Sequence, residues 1–401
     1  MTQTTPDGAA WLEGARAIQD DLVRWRRHLH RHPEVSFEEH ETTRYLQAEL
    51  EALGGTPVRR TRTGLWLDID GAAGDGPMVM VRADIDALPV LEETGLPFAS
   101  ENRGVMHACG HDAHTAIGLG VARLLLARRD AFRGRVRVLF QPAEEQPPGG
   151  APTMIEAGCL EGVSSAIALH VFARNTTGVF PTGRVFLAPG PVLAASGKFA
   201  ITIRGRGGHG SAPHMSVDAI AVAGEVLGAL QHVRSRRLDP LAPAVLTVGT
   251  IHGGFAQNVI APTVEMTGTV RTFDPAVEDR LVEAMHQIVV HTAQAFGAEA
   301  DVVYERGYPV VVNEPGVTAV MRAAVDSVFG PGAVAQTEPL MGSEDFAYYG
   351  HHVPSAFLGL GAGSDEQPAA PNHDPHFAAS EDALPFGAAV LCDAAMRLLA
   401  R

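Results

Sequence analysis

The chain is short of cysteine, short of positive charge and without a long apolar run, and each shortage removes a class of protein. Three cysteines occur in 401 residues, Cys109, Cys159 and Cys392. Three thiols cannot build a disulfide framework, so a reducing, cytoplasmic setting is expected. Lys and Arg total 31 against 46 Asp and Glu, a formal net charge of -15. Phosphate backbones and anionic lipid surfaces are bound by basic surfaces that release counterions, so neither nucleic acid nor a membrane is expected as a partner. No stretch approaches the roughly 18–20 consecutive apolar residues that span a bilayer. The first residues, to about Arg16, lack a basic stretch followed by an apolar one, so no secretory signal is expected.

What is present suits a folded enzyme. Hydrophobic residues make up 46% of the chain and charged residues 19%, enough to bury a large core. At roughly 100–200 residues per domain, this length allows two or three domains. Apolar residues at helical spacing (Leu22, Trp25, Leu29, then Tyr45, Leu46, Leu50, Leu53) predict helix over 11–53, broken near Pro33 and stopped by Gly54-Gly55. Strands are expected near 64–70, 78–85, 135–141 and 166–170, with a helix near 113–128. Helix 316–329, a strand near 355–360 and helix 381–400 continue the alternation late in the chain. Strand alternating with helix predicts an α/β sheet with helices on both faces.

Residues 198–308 follow another rhythm. Strand (198–205), helix (216–234), strand (244–252), strand (263–272), helix (275–296) and strand (299–306) make the βαββαβ order of a ferredoxin-like α+β domain. The expected division is residues 1–193 and 312–401 as one domain, with 194–311 inserted into it. A short Pro/Gly/Ala run near 361–371 is the one low-complexity stretch.

Ligand-type residues gather just past apolar strands, where sites of open α/β sheets form. Met106-His107-Ala108-Cys109-Gly110-His111-Asp112-Ala113-His114 puts a thiol and an imidazole two residues apart before a helix, and both bind zinc-like ions. A buried free cysteine beside a hydrogen-bonded histidine is the competing reading. Glu144 and Glu145 follow a strand and a proline; their side chains diverge, so one can bind metal while the other faces a reacting water. A solvated acidic loop is the alternative, weakened by the apolar strand before it. Asp84 and Asp86, two apart and so expected on one side of a strand, suit a carboxylate that orients a metal-binding histidine, or one structural hydrogen bond each. His28, His30 and His32 alternate on a helix, diverge, and read as surface or packing residues.

Together these segments resemble the two-metal aminoacylase and carboxypeptidase superfamily, in the amidohydrolase branch that includes hippurate hydrolase and plant indole-acetyl-amino-acid hydrolases. The matching stretches are RADIDALP (82–89), MHACGHDAH (106–114), FQPAEE (140–145), ALHV (168–171), GRGGHGSAPH (205–214), NVIAPTVEMTGTVRTF (258–273) and MGSEDF (341–346). They run in order along nearly the whole chain, from about Trp25 to Leu399. The resemblance implies a zinc-exopeptidase-like catalytic domain with a mixed sheet, and an inserted domain that pairs two subunits into a homodimer and acts as a lid. It also implies two divalent metal ions per subunit, zinc first, with manganese, cobalt or nickel as alternatives.

By the same resemblance Cys109 is the bridging ligand, and His111, Glu145, His170 and His373 are the others. Glu144 is the general base that deprotonates the attacking water. Asp86 orients a ligand. His209 steadies the developing oxyanion in the neighbouring subunit's site, and Asn258 and Arg271 lie near the substrate carboxylate. The implied reaction splits the amide bond of N-acyl amino acids into a carboxylic acid and a free amino acid; a dipeptidase or carboxypeptidase with the same two-metal site is the alternative. Three stretches depart from the usual pattern, one of them the segment 172–187, which is longer and more polar than usual. Gln146-Pro147-Pro148-Gly149-Gly150 stands where a glycine-rich run is common, and Asn372 precedes His373 where a leucine is frequent. A cysteine hydrolase built on Cys109 and His111 is a further reading, but neighbours in one loop attack a carbonyl poorly.

Overall fold

A computed structural model describes residues 7–175, 178–335, 338–363 and 370–401. The Pro/Gly/Ala run near 361–371 therefore lies partly outside the described residues. The chain divides into two compact units. The first comprises Met1–Val192, Val312–Glu338 and Asp345–Arg401; the second comprises Leu193–Val311 and Pro339–Glu344. Residues 339–344 thus group with the second unit, not with the 312–401 span assigned from sequence. The reason is local: the Ala194 N–H donates to the carbonyls of Leu340 (3.2 Å) and Gly342 (2.8 Å).

In the first unit three helices come first: α1 (Gly8–Ala17), α2 (Gln19–Arg31) and α3 (His40–Ala52). The expected long helix is broken once more than its apolar spacing suggests, at Ile18 (φ -110°). Neither Gly nor Pro marks that break. Asp20 and Asp21 in the first turn of α2 suit a new helix N-terminus, whose partial positive charge favours acids. Trp25 and Leu22 are fully buried, each such burial contributing on the order of 1.5–3 kcal/mol.

Strands β1 (Leu65–Asp70) and β2 (Met78–Asp84), helix α4 (His111–Leu126), β3 (Arg135–Gln141), helix α5 (Gly150–Glu156) and β4 (Val163–Phe172) follow. The sheet has seven strands in the order β1, β3, β2, β4, Ser355–Gly361, Val185–Phe186 and Val334–Ala335. It is mixed. β1 runs antiparallel to β3, and Val185–Phe186 antiparallel to Ser355–Gly361; the other pairings are parallel.

Alternation along β3 shows that both faces are covered. Phe140 reaches α4, where a Cβ on Gly118 would stand 2.9 Å from its ring. Gln141, pointing the other way, accepts a hydrogen bond from the Tyr349 hydroxyl (3.0 Å). The parallel register sets Asp84 beside Gln141 and Arg82 beside Ala168. The carboxyl ends of β2, β3 and β4 therefore lie side by side, and the loops that leave them converge.

The second unit is a four-stranded antiparallel sheet in the order Ala244–Gly253, Thr263–Thr272, Ala195–Arg204, Glu299–Arg306. Numbered along the chain that is 2-3-1-4, the ferredoxin-like arrangement. Helices Ala219–His232 and Pro275–Ala295 pack on one face, over a core containing Phe199, Ile201, Ile203, Met266, Leu281 and Met285. The intervening residues, such as Lys198, Ala200 and Thr267, are exposed on the helix-free face.

Candidate metal centre

α4 begins in a tight turn that only glycine can make. Gly110 has φ +93°, and a Cβ there would stand 2.5 Å from Val171 Cγ2. The turn sends Cys109 and His111 to one point. His111 is fully buried. Its Nδ1 donates to the Asp86 carbonyl (2.9 Å) and lies 3.2 Å from Asp86 Oδ1. This keeps one ring proton on Nδ1, so Nε2 is the nitrogen that can offer a lone pair to a cation once its own proton is lost. That buried Nε2 has no hydrogen-bond partner, yet it stands 3.7 Å from Asp84 Oδ2, 3.9 Å from Glu145 Oε1 and 4.0 Å from Glu144 Oε2. His170 repeats the arrangement: Nδ1 donates to the Val171 carbonyl (2.8 Å), and Nε2 lies 3.3 Å from Cys109 Sγ. His373 Nε2 lies 3.2 Å from Glu145 Oε1.

Two donor trios share Cys109: Cys109, His111 and His170, and Cys109, Glu145 and His373. A third joins His111, Glu144 and Glu145. Within each trio the donor atoms lie within 4.8 Å of one another. Donors that bind one zinc-like ion at about 2.0–2.3 Å stand some 3–4 Å apart, as do Cys109 Sγ and His170 Nε2 (3.3 Å), Glu145 Oε1 and His373 Nε2 (3.2 Å), and His111 Nε2 and Glu145 Oε1 (3.9 Å). Sulfur, nitrogen and oxygen donors around an orphaned imidazole nitrogen fit a pair of divalent cations, with the thiol at the shared position. His373 is the outlying member. Its side chain is 55% exposed, and its backbone takes φ +72°, a conformation rare for a residue with a Cβ. Its N–H donates to the Ala108 carbonyl (2.7 Å), which ties it to the Cys109 loop.

The electrostatics favour a cation despite the helix N-terminus beside it. Burial opposes a charge on His111, but Asp84 and Asp86 outweigh it and push the ring up to about 10. Burial, then Glu145 and Glu144, push the Cys109 thiol well above its ordinary value. Burial, then His114, hold His170 well below its ordinary value. Near neutrality the cradle therefore carries a proton on His111 and another on the thiol, where the same carboxylates favour a cation.

Asp84 and His114 form a further trio with His111, but their atoms are engaged. Asp84 Oδ1 accepts from His114 Nδ1 (2.6 Å), Asp84 Oδ2 accepts from Arg82 (2.5 Å), and His114 Nε2 accepts the Val171 N–H (2.8 Å). That trio braces the centre. Asp86 braces it from the other side, taking the Ser36 hydroxyl (2.6 Å) and the Glu145 N–H (3.0 Å) on Oδ2. β2 ends at Asp84, so Asp84 and Asp86 do not share a strand face.

In the second unit, His209 and Asn258 are neighbours. His209 pairs with Val259 across a short antiparallel ladder, and Gly210 N–H donates to the Asn258 carbonyl (2.8 Å). Both side chains are exposed. Arg271 is half-buried on the helix-free sheet face, lining a depression of about 550 Å³ with Lys198, Thr267, Thr269 and Glu305.

Comparison with known proteins agrees with this architecture. The model of peptidase family M20/M25/M40 matches residues 80–397. The chain belongs to that family. It is 40% identical to the N-acetyl-L-cysteine deacetylase of Bacillus subtilis over 384 residues, covering 95% of this chain and 89% of the relative. It is 43% identical to the N-acyl-L-amino acid amidohydrolase of Geobacillus stearothermophilus over 297 residues, covering 74% of this chain and 79% of the relative. The crystal structure of Bacillus subtilis YxeP, described as a dinuclear metal binding peptidase of the M20 family, superposes with a TM-score of 0.82 at 35% identity, over 96% of this chain and 99% of that one.

Several residues brace this M20 site in ways that the sequence does not show. Asp345 accepts Arg82 (2.8 Å), Gln141 (2.8 Å) and the Ala151 N–H (3.0 Å). The Asn372 amide donates to the Cys109 carbonyl (3.0 Å) and approaches Cys109 Sγ at 3.8 Å. His30, one of the alternating histidines, is buried between Asp112 (2.9 Å) and Glu92 (3.1 Å), a packing role beside the ligand loop. Their partners lie far away in sequence. The local signals were the MGSEDF stretch that holds Asp345 and the departure at Asn372.

Proposed function

We propose that this chain hydrolyses the amide bond of N-acyl amino acids at a pair of divalent cations, releasing a carboxylic acid and the free amino acid. The observation that carries the reading is the membership of Cys109 in two donor trios beside the buried Glu144. Cys109, His111, Glu145, His170 and His373 are the residues that hold the cations, with Cys109 shared. Bound there, two divalent ions polarise the scissile carbonyl and lower the pKa of a water, for zinc from 15.7 to about 7. The donor set suits zinc, with manganese, cobalt or nickel as alternatives.

Glu144 takes a proton from the attacking water and later gives it to the amine nitrogen. A C–O bond forms, the C–N bond breaks, and the water's hydrogen leaves on the amine. Cys109 serves as a ligand, not as a nucleophile. His209 is suited to hold the oxyanion: its Nδ1 accepts the Ser211 N–H (3.1 Å), so Nε2 carries the ring proton and can donate. We assign that donation to the neighbouring subunit's site in a homodimer formed through residues 194–311. Asn258 and Arg271 are assigned to the substrate carboxylate. The buried thiol at the shared position suits a reducing cytoplasm.

A metallo-exopeptidase is the second reading, favoured by the description of YxeP as a peptidase. The deciding experiment compares turnover of N-acetyl amino acids and dipeptides, before and after chelation and metal replacement. N-acyl amino acids are expected to be preferred, with activity lost on chelation and regained with metal. Preference for dipeptides would make the chain an exopeptidase, and turnover that resists chelation would remove both readings.

A further inference from the structure

Glu39 occupies the N-cap position of α3, but its side chain makes no capping bond. The open N–H groups of that first turn are satisfied by Glu34, whose Oε1 accepts from Glu41 (3.1 Å) and whose Oε2 accepts from Thr42 (2.7 Å). The Glu39 carboxyl is thereby released to reach 104 positions along the chain, where its Oε1 accepts the Ala143 N–H at 2.7 Å. Both residues are completely buried.

Ala143 has φ +53°, the left-handed region, which a residue with a Cβ adopts only when its surroundings hold it there. Two contacts do so: Glu39 at the N–H, and Gly150, whose N–H donates to the Ala143 carbonyl (2.9 Å). Glu144 comes next. Then the Glu145 N–H is held by Asp86 Oδ2 (3.0 Å). A buried carboxyl group therefore grips the backbone on each side of Glu144. Relaxation at Ala143 would swing Glu144, while Glu145 stays anchored by Asp86.

We infer that Glu39 is a positioning residue for hydrolysis: by accepting the Ala143 N–H it holds the left-handed turn that aims the Glu144 carboxylate. The inference rests on Glu144 being the acid–base group. Burial, then Asp86, push the Glu39 carboxyl up to about 7, so glutamine imitates its neutral form and keeps an acceptor oxygen.

The test is a double-mutant cycle in the metal-loaded enzyme. Glu39→Ala is expected to lower kcat by about 10–100-fold, with KM and metal content little changed, the usual cost of misplacing a reacting group by about an ångström. Glu39→Gln, which keeps the acceptor, is expected to lose no more than about fivefold. Glycine takes positive φ without strain, so in an Ala143→Gly background the Glu39→Ala loss is expected to shrink about three- to tenfold. An equal loss in both backgrounds overturns the inference. So does Glu39→Gln falling as far as Glu39→Ala, or metal content falling in step with kcat. Should Glu39→Ala lose its fold by circular dichroism, Glu39→Met fills the space without an acceptor and takes its place. Glu144→Gln, measured in parallel, separates the two readings. Full turnover there removes the base and the inference with it, whereas an additive cycle removes the inference alone.

Discussion

Two groups of three donors meet at His111. Asp84, His111 and His114 are all buried, and so are Cys109, His111 and His170. In the first group the two members besides His111 have their atoms engaged: His114 is held at both ring nitrogens, and Asp84 is shared between His114 and Arg82. In the second, each histidine spends Nδ1 on an oxygen and presents Nε2 to the same small space. Residue type does not separate bracing from binding. The atoms left unengaged after the local hydrogen bonds are counted do.

The comparison can be broken most forcefully at the base. Glu144→Gln is expected to cut kcat by about 10²–10⁴-fold while metal analysis still finds both ions; loss of the ions would move Glu144 among the ligands. Asp86→Asn comes next, since it weakens the group that orients His111. Metal affinity is expected to fall about 10–100-fold, read by competition with a chromogenic chelator, and an unchanged affinity would make Asp86 a bystander.

Acidity is a gentler perturbation. His111 in the metal-free protein is raised to about 10 and Cys109 is raised as well. Both must lose protons to bind, so affinity is expected to climb by about tenfold per pH unit for each proton displaced, from neutrality toward pH 10. Calorimetry in buffers of different ionisation enthalpy should register the released protons. Metal binding without proton release would remove His111 and Cys109 from the ligand set. The smallest effect on metal is expected at His114. His114→Ala should cost about 1–3 kcal/mol of stability by leaving the Val171 N–H and Asp84 short of partners, with both ions retained. Loss of an ion would put His114 on the binding side of the comparison.

Much of this was open to reading in the sequence, for a physical reason. Strand ends and a glycine turn are local, so Cys109, His111, Glu144 and Glu145 announce themselves as donors in loops between apolar elements, and His170 as one near the carboxyl end of β4. The ferredoxin-like order of the second unit is equally local, set by helix and strand periods between 195 and 306. The division between Asp84 and Asp86 was hidden because it depends on where β2 stops. The exclusion of His114 was hidden because it depends on Val171, 57 positions away. Glu39 was masked by its own context: an acid before a helix reads as a cap, and only Glu34 taking that task reveals the other. The break at Ile18 carried no Gly or Pro to mark it.

The most direct measurement is anomalous scattering from crystals grown with zinc. Two peaks are expected, both at about 2.3 Å from Cys109 Sγ, with His111, Glu145, His170 and His373 completing their surroundings. A single peak, or ions seated on Asp84 and His114 with Cys109 out of bonding range, would contradict the account.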